Sequence, residues 1–173
     1  VATQNPAGSA GTQPLPEAQM DRFMISLTIG YPDFESELAM AMGIQKEKAV
    51  DRLCPVMERE GLEEIQREIC RVHVEESVCR YLLELVRKTR ENEYLERGGS
   101  PRATIALVQM ARAAAWLEGR SYVIPEDVEE QFPYIIQHRI RLSPEAGYEG
   151  LRPSDIVEKI RKSVKKPPLE KAI

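Results

Sequence analysis

The segment GGSPRATIALVQMARAAAWLEG, residues 98–119, carries the clearest structural signal in the sequence. Ser100 has a side chain that caps helix N-termini well, and Pro101 suits the first helical position because its missing N–H would have no partner there. Gly119 is a typical residue at which a helix ends. The segment therefore predicts a helix that begins at residue 101 and ends before Gly119.

Helical signals continue on both sides of this segment. The further predicted helices lie within residues 33–43, 45–54, 58–71, 74–92, 125–140 and 152–164. Several of them place apolar residues on one face and charged residues on the other. Short connections between such helices favour a compact bundle. The only strand-like breaks are RVHV at 71–74 and SYVI at 121–124.

The first 30 residues have a different pattern. Residues 1–3 have strand-like character, Pro16 suits the start of a short helix, and residues 23–29 alternate with the period of a strand. Two strands alone are not stable in water, so this segment is interpreted as a piece of a larger α/β core. The predicted fold class is mainly α: a helical bundle preceded by a strand–helix–strand remnant.

Composition restricts the classes of function. The chain has 24 Lys and Arg residues against 28 Asp and Glu, and the net charge of −4 gives no reason to expect a nucleic-acid partner. No apolar run approaches the ~18–20 residues that span a bilayer. Cys54, Cys70 and Cys79 are odd in number and widely spaced, which favours reduced thiols in a cytoplasmic protein.

Neither the histidines nor the basic tail predicts a site. His73 and His138 have no partners at metal-ligand spacing, so both are interpreted as structural, and no metal site is predicted. The basic residues between 159 and 166 offer two interpretations: an anionic partner, or a solvated helix end where positive charge is favourable. We favour the helix end.

Two residues near the start are candidates for binding chemistry. Asn5 precedes Pro6, which holds it extended at the end of the first predicted strand, where a carboxamide can bind a phosphate oxygen or orient a water. The alternative is an Asx turn. Arg22 directly precedes the second predicted strand, so its side chain should be displayed near the end of that strand. The alternative is a surface arginine paired with Glu17 or Asp21.

Arg102 is the third candidate. It lies in the first turn of the helix that begins at 101, where a cation opposes the helix dipole, and this placement suggests an anion bound nearby. Gly98 and Gly99 permit close backbone approach and unusual dihedral angles. The alternative is a solvent-screened arginine. Together, one asparagine and two arginines are of the type that handles a nucleotide γ-phosphate.

Seven segments, in order and with similar spacing, resemble the carboxyl-terminal half of the MoxR family of AAA+ ATPases. They are ATQNP (2–6), GTQPLPEAQMDRF (11–23), IGYPDFESE (29–37), VHVEESV (72–78), GGSPRATIAL (98–107), WLEGRSYVIPEDV (116–128) and HRIRLSPEAGYEG (138–150). By this resemblance Asn5 matches sensor 1, which places the attacking water. Arg22 matches the arginine finger, which reaches a neighbouring subunit's site, and Arg102 matches sensor 2.

The resemblance also implies a domain organisation and partners. Residues 1–32 correspond to the end of the α/β nucleotide-binding core, 33–165 to the helical lid, and 166–173 to a basic, proline-containing tail. It implies ATP and Mg²⁺ as cofactors of the intact protein. It also implies self-association into a ring, expected to be a hexamer, and a chaperone-like role in remodelling or activating partner complexes.

Two elements of the family are missing from these residues. The phosphate-cradling GxxxxGK[ST] is absent, and so is the strand that ends in the Mg²⁺-linked acid. We therefore expect this chain to be a fragment that neither binds ATP tightly nor hydrolyses it alone. The alternative is a non-catalytic helical protein-interaction module, in which Arg22 and Arg102 are surface residues with nearby acidic partners.

Overall fold

The structure is a computed structural model that describes residues 1–4, 15–43 and 53–168. Contacts divide the chain into two compact units, one of Val1–Ser26 with Ile69–Ile173 and one of Leu27–Glu68. In chain order the elements are α1 (Glu17–Met20), α2 (Phe34–Ala41), α3 (Arg59–Arg71), α4 (Glu76–Arg90), β1 (Leu95–Arg97), α5 (Pro101–Leu117), α6 (Pro125–Ile136), β2 (Arg141–Leu142), α7 (Pro144–Tyr148) and α8 (Pro153–Ser163). The mainly α prediction is confirmed.

Helix α5 is central to the packing of the first unit. It packs most extensively against α6 and also contacts α4. Its buried face is rich in alanine, which lets neighbouring helices approach closely. The fully buried side chains around it are mainly large and apolar, and include Leu82, Leu85, Phe132, Ile135, Ile136 and Ile156. The core therefore covers the face of α5 that carries Ala103, Ala106, Leu107, Ala111 and Ala115.

Two short backbone pairings hold the loops of the same unit. The strands β1 and β2 are antiparallel, with Leu95 opposite Leu142. His73 also forms an isolated parallel bridge with Tyr122. The bridge joins the two strand-like breaks of the sequence, 71–74 and 121–124, whereas β1 and β2 had no clear alternating pattern because each is only two or three residues long.

The second unit contains α2 and most of α3. Asp33 caps α2 by accepting a hydrogen bond of 2.8 Å from the Ser36 amide, as expected for an N-cap aspartate. Gly43, with φ of +66°, follows the helix. Neither α2 nor α3 has a buried residue. The helix predicted within 45–54 lies largely outside the described residues.

The two predicted strands are not formed. Residues 1–4 and 23–29 are outside any strand. A strand needs a neighbour that pairs with its backbone groups, and the alternating pattern alone does not supply one. The intervening short helix is present as α1. The predicted domain boundaries at 32/33 and 165/166 stay a prediction, since the division by contacts follows different limits.

Among the described helices, none is long and apolar enough to cross a membrane.

Candidate functional site

The loop before α5 is fixed by the end of α4. A Cβ atom on Gly98 would lie 2.5 Å from the backbone carbonyl of Thr89, so only glycine fits there. The Gly99 amide donates a 2.8 Å hydrogen bond to the Thr89 hydroxyl, and the Arg90 guanidinium donates to the Gly99 carbonyl at 2.6 Å. The prediction of close backbone approach is correct. Neither glycine has a positive φ, so the predicted unusual dihedral angles are not found.

Ser100 joins this loop to the segment around Arg22. Its hydroxyl accepts a 3.1 Å hydrogen bond from the Arg102 amide, which makes it the N-cap of α5 as predicted. The same hydroxyl lies 2.9 Å from each carboxylate oxygen of Asp21 and donates to that carboxylate. Asp21 immediately follows α1 and precedes Arg22. The segment that carries Arg22 and the start of the helix that carries Arg102 are therefore in direct contact, through Asp21 and Ser100.

Arg22 and Arg102 line the same open groove, which has a volume of about 260 Å³. The groove runs along one face of α5 and is lined by Asp21, Arg22, Met24, Arg102, Ile105, Ala106, Gln109 and Arg139. Both Arg22 and Arg102 are exposed. The structure thus brings together two side chains that are 80 positions apart in the sequence.

The acidic groups proposed as partners of Arg22 are already engaged. Glu17 forms ion pairs with Arg97 at 2.6 Å and with Arg141 at 3.5 Å. Asp21 pairs with Arg139 at 3.1 Å. Within the described residues neither Arg22 nor Arg102 has a salt-bridge partner. The groove therefore holds two guanidinium groups that form no ion pair with the described part of the chain.

Sequence reasoning missed Arg139, which lies just after α6 and is 3% exposed. Its guanidinium donates to the Met24 carbonyl at 3.0 Å and to the Asp21 carbonyl at 3.2 Å, and it also donates to the carbonyls of Phe23 and Ile135. Burial lowers the pKa of Arg139, and the Asp21 carboxylate opposes that shift. The sequence offered one signal of this buried position: Arg139 follows an apolar helix and directly precedes the apolar Ile140.

His138 contributes to the same segment. Its Nε2 lies 3.1 Å from the Phe23 carbonyl, and the neutral ring donates a hydrogen bond there when its proton is on Nε2. Burial lowers the pKa of His138, and the neighbouring Arg139 cation adds to that effect. The Phe23 contact and, more weakly, Asp21 act in the opposite direction. The histidine is therefore structural, as the sequence suggested.

The other predicted features have different outcomes. Asn5 lies outside the described residues, so its proposed role stays a prediction. The described part of the chain contains no group of three or more His, Cys, Asp or Glu side chains that could hold a metal ion. The three cysteines are free and exposed.

The basic tail is largely neutralised. Lys166 contacts Glu126 and Glu129, and both Arg161 and Lys162 contact Glu158. These pairs agree with a solvated helix end rather than with a site for an anionic partner.

Comparison with known proteins places the chain in a family. Residues 87–160 match the family described as the AAA lid domain, and residues 1–25 match the ATPase family associated with various cellular activities (AAA). The crystal structure of "a putative ATPase" from Cytophaga hutchinsonii superposes with a TM-score of 0.84 at 37% identity, covering 95% of this chain and 53% of that one. The fold and the matched segments define an AAA+ protein with a helical lid.

Relatives narrow this class further. The chain is 42% identical over 173 residues to the uncharacterized protein YeaC of Bacillus subtilis, covering 100% of this chain and 54% of the relative. It is 32% identical over 178 residues to the chaperone MoxR1 of Mycobacterium tuberculosis, covering 96% of this chain and 46% of the relative. The chain belongs to the MoxR family of AAA+ ATPases. It spans about half the length of these curated relatives.

Proposed function

We propose that this chain supplies the arginine finger, Arg22, and the sensor 2 arginine, Arg102, of a MoxR-type ATPase whose phosphate-binding loop lies outside these 173 residues. One observation carries the proposal. Both guanidinium groups line one groove, and neither has an acidic partner among the described residues. The alternative interaction module required such partners, and the two carboxylates nearest in sequence to Arg22 are engaged elsewhere.

The groove suits the triphosphate of ATP. Guanidinium groups bind phosphate oxygens through charge-assisted hydrogen bonds, often in pairs. The positive end of the α5 dipole adds to the attraction for an anion. Asp21 does not cancel the two free cations, because its carboxylate is shared between Ser100 and Arg139. The net charge of the groove lining is therefore positive.

Each residue has a separate part in the proposed mechanism. Bound ATP supplies the γ-phosphoryl group that is transferred to water. Arg22 and Arg102 donate hydrogen bonds to phosphate oxygens and stabilise the negative charge that develops on them. Met24 and Ile105 line the same groove but are themselves exposed, so both cations act at a site that is open to water. Asn5 is proposed to orient the attacking water as sensor 1.

The shared groove also bears on which subunit's nucleotide each arginine serves. The family resemblance assigns the arginine finger to the neighbouring subunit's site. Because Arg102 lines the groove with Arg22, we assign Arg102 to that same neighbouring nucleotide. A ring of subunits would then complete each site with two arginines from one neighbour.

The experiment mixes two inactive variants of the complete ATPase. One carries Arg102→Ala, and the other carries an alanine in place of the phosphate-loop lysine but keeps Arg102. If Arg102 acts on the neighbour's nucleotide, mixed rings contain sites with an intact loop and an intact Arg102, and ATP turnover returns. Arg22→Ala is tested in the same mixture. Arg152→Ala is the matched control, since Arg152 also lies at a helix start but pairs with Asp155 at 3.0 Å.

Each outcome has a distinct meaning. Recovery for Arg22→Ala but not for Arg102→Ala would assign Arg102 to its own subunit's nucleotide. Full turnover in unmixed Arg22→Ala and Arg102→Ala proteins would show that the proposed function is wrong.

The role of the intact protein is part of the same proposal. MoxR1 is named a chaperone, and we propose that the complete protein uses ATP hydrolysis to remodel or activate partner protein complexes. We also propose a cytoplasmic location, where the exposed thiols of Cys54, Cys70 and Cys79 would stay reduced. This chain by itself is expected to show no turnover of Mg²⁺-ATP.

A further inference from the structure

Three consecutive side chains after α6 hold the segment that contains Arg22. Gln137 donates a 3.1 Å hydrogen bond from its side-chain amide to the Ser26 carbonyl, and His138 contacts the Phe23 carbonyl. Arg139 donates to the carbonyls of Asp21, Phe23 and Met24. These contacts bridge more than 100 positions of sequence and take the place of the strand pairing that the alternating pattern predicted.

We propose that Arg139 is a positioning residue for Arg22, an inference that rests on the proposed function of Arg22. The carbonyls of the residues directly before and after Arg22, Asp21 and Phe23, accept from the same guanidinium. With both fixed, the Arg22 backbone cannot rotate freely, and its side chain is presented from one direction. Lysine could not replace this arrangement, because a single ammonium lacks the planar fork of donors.

The same guanidinium also fixes Arg22 relative to Arg102. Arg139 donates through Nε to the Asp21 carboxylate, and that carboxylate accepts from the Ser100 hydroxyl. Ser100 in turn caps the helix whose first turn carries Arg102. One continuous set of hydrogen bonds therefore runs from Arg139 to the start of α5. Arg139 sets the relative position of the two guanidinium groups that face the groove.

Burial distinguishes this arrangement from an ordinary surface contact. The side chain of Arg139 is 2% exposed and that of its partner Asp21 is 22% exposed. Buried ion pairs often stabilise a fold no better than apolar side chains of similar volume. A buried arginine with its donors spread over the backbone of one segment instead fixes the conformation of that segment.

The test is a double-mutant cycle in the complete ATPase. Arg139→Met keeps much of the side-chain volume and removes every donor. We expect kcat to fall by about tenfold or more, because small displacements of a catalytic group are costly, while the KM for ATP changes by less than about twofold. Arg141→Met is the matched control, because Arg141 is exposed and pairs with Glu17 and Glu96, and full turnover is expected.

The cycle separates positioning from an independent effect. If Arg139 acts through Arg22, the double variant Arg22→Ala/Arg139→Met is no slower than Arg22→Ala alone. A double variant slowed by the product of the two single effects would overturn the inference, as would normal kcat in Arg139→Met. Normal turnover in Arg22→Ala would instead overturn the proposed function, and the inference with it.

A milder variant provides a second test in case Arg139→Met does not fold. His138→Ala removes only one contact to the Phe23 carbonyl and leaves Arg139 in place. If Arg139→Met does not fold, His138→Ala enters the same cycle with Arg22→Ala. A smaller loss of kcat that disappears in the Arg22→Ala background supports the inference. Unchanged kcat, or a loss that persists in that background, counts against it.

Discussion

The Asp21 carboxylate accepts from the Ser100 hydroxyl, with 2.9 Å from the hydroxyl to each carboxylate oxygen. These residues are 79 positions apart in the sequence. Asp21 directly precedes Arg22, and Ser100 lies two positions before Arg102, the other arginine that lines the groove. Because Ser100 is also the N-cap of α5, a single hydroxyl stabilises the helix start and fixes it to the Arg22 segment. Stability of this helix and geometry of the groove are therefore coupled.

Replacing Ser100 tests this coupling. Ser100→Ala removes both the cap and the contact to Asp21, and we expect the free energy of unfolding to fall by about 1–2 kcal/mol. Ser100→Thr keeps a hydroxyl and should lose much less. Urea denaturation of the two variants and the parent measures the difference. Equal stability of the alanine and threonine variants would show that the hydroxyl has no such role.

The close approach at Gly98 gives a second prediction. Gly98→Ala places a Cβ against the Thr89 carbonyl, and the resulting backbone shift should cost about 1–3 kcal/mol of unfolding free energy. Gly147→Ala is the control, because its Cβ would meet no atom within 4 Å inside helix α7. That change is expected to be neutral or to stabilise by up to about 1 kcal/mol. Thermal unfolding should rank the two variants in this order, and the reverse order would contradict the packing at Gly98.

His138 predicts a pH dependence of stability. An unfolded histidine has a pKa of about 6.5, whereas burial and the Arg139 cation lower the pKa of His138 in the folded chain. As the pH falls below about 6.5, the unfolded chain gains a proton that the folded chain does not yet bind, so the free energy of unfolding falls. The loss ends once the pH is below the folded pKa as well.

Urea denaturation at neutral and mildly acidic pH checks this sign. The variant His138→Gln should lose less stability on acidification than the parent chain. An identical pH dependence in the parent and His138→Gln would exclude His138 as the group responsible.

The groove predicts weak binding of inorganic triphosphate to this chain. Titration followed by NMR should shift the side-chain signals of Arg22 and Arg102, and Arg22→Ala or Arg102→Ala should each weaken binding by about threefold or more. The effect should decrease with added salt because both cations are exposed. Arg152→Ala should bind as well as the parent, since Arg152 is already paired with Asp155. Equal binding by all three variants would place the anion elsewhere.

The limits of sequence-based prediction are clear at the candidate site. Arg22 and Arg102 were identified by residue type and local position, and the groove contains both. Arg139 was not identified, because an arginine after a helix is ordinarily a surface residue. Its burial depends on the carbonyl groups of residues 21–24, which come near it only after the chain has folded.

Local sequence signals were enough to predict most of the described helices, though not α7. Ser100 and Pro101 begin α5, and Asp33 begins α2, because caps and helical hydrogen bonds act between residues a few positions apart. The conformation of residues 23–29 and the placement of Arg22 beside Arg102 depend instead on contacts between residues far apart in the sequence. The apolar alternation there predicted a strand, but a strand requires partners distant in sequence, and the side chains of Gln137, His138 and Arg139 bind carbonyls of residues 21–26 instead.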